Sequence, residues 1–204
     1  MNLPNRLTVA RIGLTALFVM AMLLPKGGHV MSLFPYGKTL ALGIFLVAAL
    51  TDWWDGWLAR KHRQETNFGA LLDPVADKIL TTAAFICFVE QTNYRGQPLV
   101  QAWMVLVIVA RDFLVTGMRL VAGAQGVVLK AEELGKHKTA SQIATIIVTL
   151  AGLAVRDDWG WRGERFDVLF SRIVFGMMLV TVALTVWSGF NYFWKNRELV
   201  VRNA

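Results

Sequence analysis

Six apolar stretches divide the chain, at about 7–24, 39–60, 71–90, 99–121, 138–155 and 168–193. Each is close to the roughly 20 residues that carry a helix across a bilayer. Hydrocarbon offers no partner for a backbone N–H or C=O, so stretches of this kind must satisfy their own hydrogen bonds, which the α-helix does. The breaks between them carry turn chemistry or charge: "PKGGH", "RKHRQETN", "QTNYRGQP", "GAQGVVLKAEELGKHK" and "RDDWGWRGER". Of the 204 residues 55% are hydrophobic and 17% charged, too apolar a balance for a soluble domain of this size. The pattern predicts an all-α integral membrane bundle of six transmembrane helices, in a single domain covering 1–204. The first run, behind Arg6 and Arg11, could pass for a signal peptide. No small-x-small cleavage site follows it, however, and comparable runs recur along the whole chain.

Orientation follows from the placement of Lys and Arg. With the N-terminus in the cytoplasm, twelve fall on the cytoplasmic side, among them Arg6, Arg60, Lys61, Arg63, Lys136 and Arg202. Seven fall opposite: Lys26, Lys38, Arg95, Arg156, Arg162, Arg165 and Arg172. The bias places both termini in the cytoplasm, with a margin narrowed by the last external loop. The net charge of +7 then belongs to cytoplasmic loops and anionic headgroups, and no basic-aromatic pattern points to nucleic acid. Cys87 is the only cysteine, so no internal disulfide is possible. His29, His62 and His137 lack zinc-site spacing, and Gly135-Lys136 lacks the upstream glycine and following hydroxyl of a nucleotide P-loop.

Against this background "TDWWDGWLARKHRQETNFGALLDPVADK", residues 51–78, is unexpected. It holds Asp52, Asp55, Asp73 and Asp77 at the cytoplasmic ends of segments 2 and 3. An aspartate in a membrane helix costs about 2.5–3.5 kcal/mol at the bilayer centre. On a helix, Asp52, Asp55, Gly56 and Ala59 share an arc of about 100°. Gly69, Asp73 and Asp77, spaced by four, share another face. Packed carboxylates repel one another, and divalent cations relieve this. An oxygen-only set without His or Cys points to Mg²⁺, Mn²⁺ or Ca²⁺. Gly56, Ala59 and Gly69 leave room for a flat or bulky ligand against the backbone, and Arg60 could bind a phosphate. The competing structural reading has Asp52 and Asp55 ending a helix, and Asp73-Pro74 as an N-cap with proline at the first helical position.

Asp52-x2-Asp55-Gly56-x2-Ala59-Arg60-x8-Gly69-x3-Asp73-x3-Asp77 resembles the signature of the CDP-alcohol phosphatidyltransferase family at all eight of its defined positions. The resemblance implies six transmembrane helices and two Mg²⁺ or Mn²⁺ ions held by the four aspartates, with Asp77 also the general base. It further implies a cytidine diphosphate headgroup in the space left by Gly56, Ala59 and Gly69. Pro4-Asn5-x2-Thr8-x2-Arg11 is similar to the amino-terminal segment of some members and places Asn5, Thr8 and Arg11 at the nucleotide end. The other reading of Thr8 is a cap on the first helix.

The shared signature does not select the acceptor. Arg111-Asp112 puts a charged pair deep in segment 4, Arg119 follows, and Gly135-Lys136-x-Lys138-Thr139-x2-Gln142 opens segment 5. Arg111, Arg119, Lys136 and Lys138 facing the metal site would suit an acceptor that itself carries phosphate. The plainer readings are a positive-inside anchor for the lysines and an ion pair with a neighbouring helix for Arg111. "ARD" followed by "GKHKTASQ" resembles the branch of the family that makes phosphatidylglycerol phosphate. That implies CDP-diacylglycerol as donor, glycerol 3-phosphate as acceptor, a homodimer, and a site facing the cytoplasm from a bacterial-type inner membrane. Inositol phosphate or phosphatidylglycerol are the alternative acceptors. A divalent-cation carrier is the alternative of another class, although carriers hold their ionisable groups near the midplane.

Overall fold

The computed structural model describes residues 3–23, 36–59, 67–93, 95–124, 126 and 133–197; over 3–8, 52–59, 67–77, 124 and 133–134 it describes the backbone. Six α-helices follow one another: α1 Leu3–Leu23, α2 Gly37–Ala59, α3 Asn67–Val89, α4 Ala102–Ala124, α5 Glu133–Leu153 and α6 Glu164–Lys195. A π-helical turn, Ala154–Asp158, prolongs α5. Among the described residues there is no strand, only an isolated bridge between Thr92 and Pro98. Each expected segment is a helix. Several begin before their apolar run: α3 at Asn67 instead of 71, and α5 at Glu133 instead of 138. Loss of hydrophobicity marks where a helix leaves its apolar surroundings, not where its hydrogen bonds stop.

Two described stretches, Gly135–Asp158 and Glu164–Lys195, are long and apolar enough to cross a membrane. Val9–Leu23, Gly37–Thr51 and Lys78–Val89 are shorter apolar helices, and Arg111, Asp112 and Arg119 interrupt α4. Helix α1 packs against α2 and α3, α5 against α2, α3 and α6, and α4 against α3 and α6. Phe18, Phe45, Phe85, Phe88, Ile146 and Leu150 lie in the shared core.

Helix α6 shows how this packing differs from that of a soluble bundle. Its buried residues include Asp167, Thr181, Thr185, Ser188 and Tyr192, while Leu169, Val180, Trp187, Phe190 and Trp194 are exposed. Polar groups face inward, where Thr181 meets Thr145 of α5 at 3.0 Å, and large apolar groups face outward. Water would penalise that arrangement and lipid would not.

The bundle is tied together at the end where α1 and α3 finish and α2 begins. Lys38 Nζ donates to the Met22 carbonyl at 2.6 Å. The backbone N–H and hydroxyl of Thr39 both donate to Asp158 Oδ2, at 2.7 and 2.9 Å. Arg156 Nη1 donates to the Thr92 carbonyl at 2.8 Å and lies 3.9 Å from Asp167, while Nη2 pairs with Asp157 at 3.1 Å. The chain reverses into α6 through Gly160, whose φ of +75° favours glycine.

Close approach of α5 and α6 depends on Gly152. A Cβ there would sit 2.0 Å from Cε2 of Phe170, a ring stacked on Phe166 with centroids 5.9 Å apart. Gly152→Ala should therefore push the two helices apart. The expected loss is about 1–3 kcal/mol, read as a lower unfolding midpoint of the detergent-purified protein; an unchanged midpoint would count against this contact.

Candidate active site

The four aspartates all lie on helical backbone. Asp52 and Asp55 precede the end of α2 at Ala59, and Asp73 and Asp77 are the seventh and eleventh residues of α3. Both structural readings of these residues therefore fail. Asp52 and Asp55 do not end a helix, since α2 continues beyond them. Asp73-Pro74 is not an N-terminus, since α3 starts six residues earlier, and Pro74 is tolerated inside it without an N–H to donate. Helical register through 52–59 and 69–77 is what the sequence spacing requires for two carboxylate faces. The side chains of Asp52, Asp55, Ala59, Asp73 and Asp77 and the surroundings of Gly56 and Gly69 lie outside the description, and so does all of Arg60.

At the amino terminus, Thr8 is the sixth residue of α1, so it does not cap that helix. The side chains of Asn5 and Thr8 lie outside the description. Arg11 is half-buried on α1, and its carbonyl accepts a bond from the Thr15 hydroxyl at 2.9 Å.

A second group of polar side chains is fully described and joins α4, α5 and α6. Asp112 is buried and lies at its centre. Oδ1 of Asp112 accepts from Arg111 Nη1 at 3.2 Å and from Lys138 Nζ. Oδ2 accepts from the Gln142 amide at 3.5 Å. Arg111 Nη2 reaches across to α6 and donates to Ser188 Oγ at 2.7 Å. Gly189 makes this crossing possible, because a Cβ there would come within 2.9 Å of Arg111 Cγ. About two turns further along α4, Arg119 Nε donates to the Tyr192 hydroxyl at 3.3 Å, with its guanidinium carbon 5.4 Å from that ring's centroid.

Two cations thus meet at one carboxylate, and a third, Arg119, stands further along α4 against Tyr192. Arg111 retains a second N–H on each Nη, and Lys138 has three donors of which Asp112 takes one. Arg111 Nε is buried without a partner. A site of this kind presents surplus positive charge and fixed donors, as an anion requires. Helix α5, which carries Lys138, packs against α3, which carries Asp73 and Asp77.

The structure brings Arg111, Arg119 and Lys138 of the sequence-derived anion residues into this group. Lys136 is exposed on the first turn of α5 and has no described contact with it. Arg111 does pair, but with its own neighbour Asp112 and with a hydroxyl of α6, not with a carboxylate of another helix. Ser188, Gly189 and Tyr192 were not foreseen. The available signal was the spacing of Thr181, Thr185, Ser188 and Tyr192, which draws a polar stripe through an otherwise apolar segment.

A cleft of about 910 Å³ opens at the opposite end of the bundle, lined by Lys38, Glu90, Arg156, Asp158 and Asp167 among others. Its rim at Lys38 lies fourteen residues from Asp52 along α2, about 20 Å at helical rise. It has no part in chemistry at the aspartates.

Comparison with known proteins agrees with the motif. The model of the family described as CDP-alcohol phosphatidyltransferase matches residues 1–187. A CDP-diacylglycerol–glycerol-3-phosphate 3-phosphatidyltransferase of Bacillus subtilis is 38% identical over 201 residues, covering 97% of this chain and 96% of the relative. Proteins of the same name from Pectobacterium atrosepticum and Sodalis glossinidius are 32% and 31% identical, each covering more than 90% of both chains.

Proposed function

The chain belongs to the CDP-alcohol phosphatidyltransferase family, and we propose that it transfers a phosphatidyl group from CDP-diacylglycerol to sn-glycerol 3-phosphate, giving phosphatidylglycerol phosphate and CMP. The observation that supports an acceptor carrying phosphate is the pairing of Arg111 and Lys138 on Asp112, with Arg119 further along α4 against Tyr192. The cations of this group outnumber the one described carboxylate they meet, and that surplus suits a phosphate at neutral pH. An acceptor without phosphate would leave that surplus unanswered. The names of the full-length relatives point the same way.

Family members depend in general on divalent cations. The donor set fits such ions: four carboxylates, no His or Cys, on helical backbone at i,i+3 and i,i+4 spacing. Asp52, Asp55, Asp73 and Asp77 would hold two Mg²⁺ or Mn²⁺ ions. When bound, these neutralise the diphosphate and stabilise the leaving CMP.

The chain's own residues do the rest. Gly56, Ala59 and Gly69 leave space for the cytidine diphosphate, and Asn5, Thr8, Arg11 and Arg60 lie at its nucleotide end. Arg111, Arg119 and Lys138 hold the acceptor's phosphate, which directs its primary hydroxyl at the donor. Asp77 takes the proton from that hydroxyl. The freed oxygen bonds to the phosphorus carrying diacylglycerol as the bond from that phosphorus to CMP breaks. Positioning and charge neutralisation carry most of the rate.

In this reading residues 1–204 form one membrane domain with six spans and both termini cytoplasmic. It works as a homodimer in a bacterial-type inner membrane. The acyl tails stay in the bilayer between helices, and the site faces the cytoplasm.

Three outcomes test the proposal. Purified protein given CDP-diacylglycerol and a panel of acceptors should release CMP and form lipid product with glycerol 3-phosphate, lose this activity with EDTA, and regain it with Mg²⁺ or Mn²⁺. Product from another acceptor alone would overturn the reading. Arg111→Ala and Lys138→Ala should each raise the KM for glycerol 3-phosphate about tenfold or more, the loss of one charge-assisted contact, with little change for the donor. Asp77→Asn should lower kcat by about 10²- to 10⁴-fold, while Mg²⁺-dependent binding of the CDP-lipid survives better than in Asp52→Asn. Near-normal turnover of Asp77→Asn would remove it from the mechanism.

A further inference from the structure

We infer that Asp112 is a positioning residue for the acceptor site, holding Arg111 and Lys138 at one fixed separation. The inference rests on the reading of those two cations as the acceptor's phosphate ligands.

Arg111 and Lys138 come from different helices, and both have long side chains with many rotamers. As like charges in a buried setting they repel. One oxygen, Asp112 Oδ1, accepts from both, so a single atom sets the position of each relative to the other. The other oxygen is held by Gln142, and the carboxylate is thereby fixed in rotation. Arg111 is pinned a second time by Ser188, across the gap that Gly189 leaves. Each cation keeps donors that Asp112 does not use. A phosphate arriving between them meets two prearranged partners, and little side-chain entropy remains to be lost on binding.

A carboxylate that merely balanced buried charge would behave differently under substitution. Asp112→Glu keeps the charge but moves the oxygens by one methylene. If balance is all that matters, Asp112→Glu restores both folding and substrate constants. If position matters, it restores folding but not acceptor affinity.

The experiment compares Asp112→Glu and Asp112→Asn with the parent in detergent, measuring unfolding midpoint, both KM values and kcat. The expected result is a KM for glycerol 3-phosphate raised about tenfold or more in both variants. The KM for CDP-diacylglycerol should stay within about twofold, and Asp112→Glu should unfold close to the parent. An Asp112→Glu protein with parental acceptor KM overturns the inference, as does a folded Asp112→Asn protein with unchanged or lower KM. Should Asp112→Asn fail to fold, Asp112→Glu alone decides. Arg111→Ala and Lys138→Ala are run in the same assay. If they leave the acceptor constant unchanged, the acceptor-site reading fails and the inference with it. If they raise it while the Asp112 variants do not, the inference alone fails.

Discussion

An ionised group inside a helical bundle costs several kcal/mol unless another charge or a hydrogen-bond partner meets it. The Asp112 carboxylate, shared between Arg111 and Lys138, is where this chain answers that constraint most fully. The pairing ties α4 to α5, and Arg111 extends the tie to α6 through Ser188. Breaking such a buried pair on one side typically costs about 3–5 kcal/mol. The same contacts that make the charges tolerable also hold three helices in register around them.

The two ends of the bundle use charge differently. At the end of Lys38 and Arg156, Arg156 stands beside Asp157 and Asp167, and Asp158 is held by Thr39. That end is a fastening. Three of the seven cations that weakened the orientation argument lie in or beside it: Lys38, Arg156 and Arg162, the last 3.7 Å from Asp157. They reflect local pairing between helices and loops. At the other end cations outnumber their described carboxylate, and the surplus is what makes it a candidate for binding an anion.

Much of the fold was legible because one rule governs it. Apolar runs of spanning length become helices, and all six did. The helix ends were not legible, since "NFGA" before Leu71 opens on Asn67 and contains a glycine, and "ELGKH" before Lys138 is largely polar, yet both are helical. The aspartate signature could be read directly, because its spacing is local and helical geometry converts it into faces. The surroundings of Arg111 could not. Asp112 was visible as its neighbour, but Ser188 lies 77 positions away, and no local pattern announces which residue a guanidinium will meet across a helix interface. Nor did sequence separate Lys136 from Lys138, two residues apart and chemically alike. Their difference is angular, with one exposed and the other buried.

The π-helical turn at Ala154–Asp158 follows from the same angular logic. Its mark is the bond from Trp159 N–H to the Ala154 carbonyl, at 3.1 Å, five residues apart. A turn of this kind holds one more residue than an α-turn. It lets Arg156 reach the α3–α4 loop while Asp158 reaches Thr39 of α2. The extra residue is taken up within this one turn, so removing it would let an ordinary α-helix form and would take away the widened turn. Arg156 and Asp158 would then no longer both be placed for Thr92 and Thr39. The loss would fall on the fastening between this turn, α2 and the α3–α4 loop, because the chain reverses through Gly160 before α6 begins at Glu164.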